Sequence, residues 1–278
     1  MRRRIASVLA SVLLFLPAPL RAADEVPVDV ELILAVDVSW SMDQGEQRIQ
    51  RDGYVAAFRS PEVQAAILGG GHQAVAVTYV EWAGEFSQSI IVPWTRIDSK
   101  AAADAFAYRL SEEEPERARR TSIASAIDFT APMFDDNGFR GLRRVIDISG
   151  DGPNNQGRMV TEARDAAVRR GITINGLPLM TSGSGQGFSS WGSIPDLDRY
   201  YESCVIGGPG AFMIPVNDWA QFPEAVRRKL VMELAGGWPL PKDPDDDIRH
   251  LAATGGDADC LVGEKQWQER QFRWPSER

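Results

Sequence analysis

The stretch VDVELILAVDVSWSMD, residues 28–43, decides the fold. From Val28 to Val38 it is an almost unbroken apolar run ending in a carboxylate, Asp37. A half-buried strand alternates apolar and polar residues, whereas a run of this kind belongs to a strand covered on both faces, as in a parallel sheet between two layers of helices. Outward from this strand, the spacing predicts a helix over 43–67. Two β-rich runs follow, 73–82 and 86–94, separated by the short turn Ala83-Gly84-Glu85, which suits a hairpin and hence one antiparallel edge strand. Helices are expected at 99–111 and 122–135, flanking the charged loop EEEPERARR. A strand at 142–149 leads to a helix with Met159, Ala163, Ala166 and Ala167 on one face, ending at Gly171. A strand at 172–177, a Gly/Ser-rich loop at 181–193, a short helix at 195–203 and a strand at 211–216 come next. The final helix begins near Asp218 and places Phe222, Val226, Leu230 and Leu234 every four residues; Pro223 is tolerable in its first turn. Strands alternating with helices predict an α/β fold: a doubly wound, mostly parallel sheet with one antiparallel edge strand and helices on both faces.

Composition agrees with a folded domain and excludes several functions. At 278 residues, 44% hydrophobic and 25% charged, the chain is neither disordered, collagen-like nor coiled coil. Its formal charge of −9 has the wrong sign for binding nucleic acid through phosphate contacts. Residues 1–22 read as a signal peptide: Arg2, Arg3 and Arg4 precede an apolar stretch from Ile5 to Leu16, then Pro17, Pro19 and a small-residue site near Ala22. That stretch of about 12 residues is short of the roughly 20 a spanning helix needs, and no later segment reaches that length, so no membrane span is expected. Setting aside residues 1–22 removes four arginines and no acid, leaving 26 basic against 39 acidic side chains, a charge of −13. The expected location is periplasmic or secreted, by the general or the twin-arginine route. In such an oxidising compartment Cys204 and Cys260 are most simply one disulfide; two free thiols, or a link to another chain, are the alternatives. Cys204, Cys260, His72 and His250 lack the paired spacing of a zinc site. Residues 27–235 form the expected domain and 236–278 an acidic extension, in which Trp267, Phe272 and Trp274 could dock.

Ligands of open α/β sheets gather at the carboxyl ends of parallel strands, and two of those junctions are rich in oxygen. Asp37-Val38-Ser39-Trp40-Ser41 follows the first strand. Gly150-Asp151-Gly152, with Asn154 and Asn155 behind it, follows the strand at 142–149. Thr121 lies between them at the start of a helix. Taken singly, these residues have simpler readings: Ser39 and Ser41 could cap the next helix, Thr121 or Ser122 its own helix, and Asp151 could anchor a turn.

Together they resemble the von Willebrand factor A (vWA) domain and its metal-ion-dependent adhesion site, which carries D-x-S-x-S after the first strand, a Thr on a later loop and an Asp after the fourth strand. The resemblance covers about 27–235 and implies Asp37, Ser39, Ser41, Thr121 and Asp151 as ligands of Mg²⁺ or Mn²⁺. The segments VIDISGDGPNNQGR (145–158), YVEWAGEFSQ (79–88) and ITINGLPLM (172–180) look like a bacterial exported family of this fold with no assigned function. The chemistry is coherent without the family name. A small hard ion prefers oxygens in near-octahedral geometry, hydroxyls supply oxygen without charge, and two carboxylates roughly neutralise it, leaving room for an incoming carboxylate.

The expected function is a non-enzymatic binding module that captures a protein or peptide with an accessible carboxylate. Trp40, Arg119, Arg120, Phe188 and Trp191 are its expected partner-binding residues, and Trp40 and Met42 are expected to flank the site. A structural or assembly factor with a vestigial metal site is one alternative, and a Mg²⁺-dependent phosphoryl-transfer enzyme using Asp37 another. The latter lacks the second close Asp and the Lys such sites commonly add. Serine acyl transfer is disfavoured, because there is no G-x-S-x-G and His72 is expected at the opposite end of the sheet from Ser39. Asp147, an acid inside a buried strand, is expected to pair with a hydroxyl or an Arg, or to support the metal from behind its ligands.

Overall fold

The computed structural model describes residues 25–181, 193–235, 249–250 and 258–273. The signal-peptide reading, Phe188, Trp191, Trp274 and most of the acidic extension lie outside the described residues.

Strand β1, Val26–Asp37, is the centre of the architecture. It pairs in parallel with β2, Val75–Trp82, on one side and β4, Phe139–Gly150, on the other. Beyond β2 lies β3, Gln88–Ile97, the expected antiparallel edge strand. Beyond β4 come β5, Ile172–Pro178, and the two-residue β6, Phe212–Met213, both parallel, then β7, Arg249–His250, antiparallel to β6. Among the described residues these seven strands make one sheet in the order β3-β2-β1-β4-β5-β6-β7.

The helices cover both faces, because alternate residues of β1 point to opposite layers. Leu32, Leu34 and Val36 pack with Tyr54 and Phe58 of α1 (Gln44–Arg59), Val63 and Ile67 of α2 (Pro61–Leu68), Phe106 and Leu110 of α3 (Lys100–Glu112), and Phe222, Val226 and Leu230 of α7 (Phe222–Leu234). Ile33 and Ala35 pack with Ile123 and Ile127 of α4 (Ile123–Thr130), Ala163 and Ala167 of α5 (Val160–Arg169), and Leu197 and Tyr200 of α6 (Leu197–Tyr200). Each fully buried aliphatic side chain contributes roughly 1.5–3 kcal/mol, which is why this strand organises the fold. The last element among the described residues is α8, Val262–Arg273.

Several sequence expectations need correction. The helix read over 43–67 is two helices, because Ser60 leaves α1 in an extended conformation and caps α2, accepting from the Val63 amide, with Pro61 in the first turn. The strand read at 211–216 is reduced to two residues plus a bridge between Leu179 and Val216. Among the described residues Asp147 pairs with Lys229 of α7 rather than with an Arg or a hydroxyl: Lys229 Nζ lies 2.6 Å from its Oδ1, and Lys229 also bonds Glu233. The residue sits on the same face of β4 as Val145, toward α1 and α7, where an aliphatic helix pattern gave no sign of a buried lysine.

Candidate functional site

β1 and β4 are parallel neighbours, and Asp37 and Asp151 stand side by side at their carboxyl ends, where ligands of open α/β sheets gather. Asp37 Oδ1 accepts the Ser39 amide at 2.7 Å, folding the chain back immediately after the strand. Ser39 Oγ and Ser41 Oγ are 2.7 Å apart, and Ser41 Oγ donates to Asp151 Oδ1 at 2.6 Å. Four of the five expected ligands therefore form one hydrogen-bonded chain. Neither serine caps the following helix; Asp43 does so, in a reciprocal arrangement with Glu46.

Thr121 is tied to both junctions by main-chain attachments. The loop before it is stitched to the first junction, with the Trp40 amide donating to Ala118 O and the Ala118 amide to Val38 O. Its own amide donates to Asn155 Oδ1 at 3.0 Å, and its carbonyl accepts the Asn155 amide at 2.8 Å. The hydroxyl takes no part in these bonds. Ser122 caps α4, accepting from the Ser125 amide, so Thr121 is not used as the cap.

Burial sets the electrostatics. Asp37 is fully buried, and its carboxyl is held well above the ordinary range, first by burial and then by the charge of Asp151. Asp151 is pushed up to about 6, chiefly by burial, with the Ser41 hydroxyl acting against the shift. Asp37 Oδ2 is buried with no hydrogen-bond partner among the described residues. Gly150 makes room for this carboxylate: a Cβ there would lie 3.0 Å from Asp37 Oδ2 and 3.0 Å from Tyr201 Oη. The result is a buried pair of carboxylates joined through neutral hydroxyls, with Asp37 Oδ2 unpaired among the described residues.

The two expected flanking residues separate. Met42 is buried in the core, whereas Trp40 is 53% exposed. The Arg119 guanidinium lies over the Trp40 ring, 4.5 Å from its centroid, and Arg117 Nη2 donates to the Trp40 carbonyl at 3.0 Å. Arg120 stacks on Trp267 of α8 at 3.2 Å. His72 donates its amide to Asp29, near the start of β1, far along the strand from Asp37. Sequence reading did not single out Phe86, which is 89% exposed on the β2–β3 turn near Gly84, where an added Cβ would fall 2.7 Å from the Arg119 carbonyl oxygen. It also gave no role to Asn154, fully buried, whose Oδ1 accepts the Ala124 amide while its Nδ2 donates to Gln156 O and Arg158 O. The PNNQG run was the available signal for both asparagines.

No helix among the described residues is long and apolar enough to cross a membrane. Cys204 and Cys260 form a disulfide, the simplest of the sequence readings.

Residues 27–238 match the family model described as protein of unknown function (DUF1194). No curated protein matches the sequence. Among solved structures, proximal thread matrix protein 1 from the mussel byssus is 14% identical with a TM-score of 0.50, over 77% of this chain and 50% of that one. One structure of that mussel protein is described as having a zinc-occupied MIDAS motif. The pilus adhesin SpaC from Lactobacillus rhamnosus GG is 11% identical with a TM-score of 0.54, over 74% of this chain and 31% of that one. A von Willebrand factor type A protein from Catenulispora acidiphila is 14% identical with a TM-score of 0.48, over 74% and 43%. The chain spans half or less of the length of these three proteins. At such identities the likeness is one of fold.

Proposed function

We propose that this chain, which belongs to the DUF1194 family, is an exported, non-enzymatic binding module that captures an acidic group of a protein or peptide at a divalent-metal site. The observation that carries this reading is the hydrogen-bonded run from Asp37 through Ser39 and Ser41 to Asp151, with Asp37 Oδ2 buried and unpartnered. A buried carboxylate oxygen with no donor is costly and asks for a cation. The donors suit Mg²⁺ or Mn²⁺: all are oxygens, two are carboxylates and the rest are hydroxyls. Asp37, Ser39, Ser41, Thr121 and Asp151 would hold the ion, which when bound supplies positive charge and a coordination position open to a carboxylate.

The chain's own residues do the rest. Gln50 Nε2 donates to the Asp37 carbonyl, and Asn155 grips Thr121, so the two loops keep their places without help from a partner. Trp40 and Phe86 offer apolar surface at the rim, and Arg117 and Arg119 place positive charge there against a strongly acidic molecule. Two proteins with a similar fold, a pilus adhesin and a byssus matrix protein, fit a role in binding. The test is a set of immobilised peptides carrying Asp or Glu and their Asn or Gln counterparts, probed with the protein in Mg²⁺ and in chelator. The expected result is capture of acidic peptides in Mg²⁺ alone; capture that ignores both chelator and carboxylate would favour an assembly factor with a vestigial site.

A further inference from the structure

The family match ends at residue 238, yet the chain returns to the site afterwards. Cys260 is bonded to Cys204, itself buried in the turn Tyr201–Val205, and α8 starts two residues later. The first turn of α8 lies against the loop that follows Asp151. Gly263 is packed so closely that a Cβ would fall 2.1 Å from Asn154 O and 3.1 Å from Pro153 Cγ. Glu264 Oε1 accepts Asn154 Nδ2 at 2.7 Å. One turn on, and so on the same side of the helix, Trp267 receives the Arg120 guanidinium.

Both gripped residues are one joint away from an expected ligand. Asn154 ties the Asp151 loop to the start of α4 through the Ala124 amide, and its neighbour Asn155 holds Thr121 by two bonds. Arg120 directly precedes Thr121 and has a left-handed backbone, φ 77°, which is uncommon for a residue with a Cβ. α8 is otherwise polar, and its Phe272 is 88% exposed, so burial alone is a weak anchor and the disulfide keeps the helix at its post.

We infer that α8 is a disulfide-held positioning element of the site, in which Glu264 and Trp267 fix Asn154 and Arg120 and thereby the loops that carry Asp151 and Thr121. This rests on the metal reading above for its ligand, and on geometry alone for its grip. Metal affinity then depends on a segment outside the family match and on the oxidation state of one cysteine pair.

The experiment uses the full exported chain. Mn²⁺ titration by calorimetry is paired with amide exchange of 119–124 and 151–156, with β1 and β4 as internal controls. Glu264→Ala, Trp267→Ala and Cys260→Ser are each expected to weaken Mn²⁺ binding by roughly tenfold, the low end for residues that support metal ligands from behind. Both loops should exchange faster while β1 and β4 keep their protection. Glu264→Gln retains the acceptor oxygen and Trp267→Phe retains a ring face, so both should restore affinity; a merely structural role would not separate these pairs. If Cys260→Ser fails to fold, the Glu264 and Trp267 pairs decide alone. Wild-type affinity and exchange in all three disruptive variants would overturn the inference. If the wild type binds no Mn²⁺, the metal reading fails, and exchange still judges the grip: faster loop exchange supports it, unchanged exchange overturns it.

Discussion

Ser41 Oγ and Asp151 Oδ1 are 2.6 Å apart although 110 residues separate them in sequence. This bond joins the loop after β1 to the loop after β4, and it exists because the two strands are hydrogen-bonded neighbours that end together, Val36 opposite Ser149. A hydroxyl donated to a buried carboxylate is the local condition from which the site's behaviour follows.

Gly150→Ala tests the space around Asp37. The added methyl would sit 3.0 Å from Asp37 Oδ2 and 3.3 Å from Asp37 Cβ, so the carboxylate must move. We expect a loss of about 1–3 kcal/mol in urea unfolding, typical of overpacking, together with weaker Mg²⁺ binding by titration. A variant with full affinity and stability would mean that the carboxylate position does not matter.

Asp151→Asn should stabilise the metal-free protein while removing metal binding. The folded-state value of about 6 lies above the ordinary 3.8, so the native state holds this proton more tightly than the unfolded chain. Stability from this group is present below about pH 4 and is lost as pH rises through 6; the two-unit difference corresponds to at most about 3 kcal/mol. Metal-free wild type should therefore lose more melting temperature between pH 4 and 7 than the variant does. Saturating Mg²⁺ should stabilise the wild type at pH 7 and leave the variant unchanged.

Lys229→Met should cost about 3–5 kcal/mol at pH 8, because it strands Asp147 and Glu233 in the core without their cation. Asp147 is raised to about 7 by burial and by the charge of Glu233, with Lys229 opposing the shift. Protonation at pH 5 relieves the stranded charge, so the cost should shrink there. Equal costs at pH 5 and pH 8 would contradict this account of the cluster.

At the rim, Trp40→Ala should weaken capture of an acidic peptide without changing metal affinity, and Arg119→Glu should slow association most at low salt. Stopped-flow rates at two ionic strengths check the second expectation. Salt-independent rates in both proteins would remove Arg119 from recognition.

The layers and the strand series were legible because β1 is apolar without a break from Leu32 to Val36 and the helices α1, α5 and α7 repeat their apolar residues on one side. The expected ligand residues stood out because Asp37, Ser39, Ser41 and Asp151 follow strands and Thr121 lies just before the Ser122 cap of α4. Other features depend on contacts that no local pattern encodes. The break at Ser60-Pro61 was written in the proline but hidden by the apolar residues on either side. Lys229 looks like a surface residue of α7 until Asp147 is known to face it. The grip of α8 on Asn154 and Arg120 depends on where a polar tail is tethered, which the cysteines hinted at and the helix composition concealed.

The most direct measurement is calorimetric titration of Mn²⁺ into residues 23–278 and into the Asp37→Ala/Asp151→Ala variant of the same span at pH 7.5, with folding of both checked by circular dichroism. We expect a single weak site in the wild type and none in the folded double variant, since both counter-charges are gone. Equal binding by the two proteins, or no binding by either, would contradict the metal-site account.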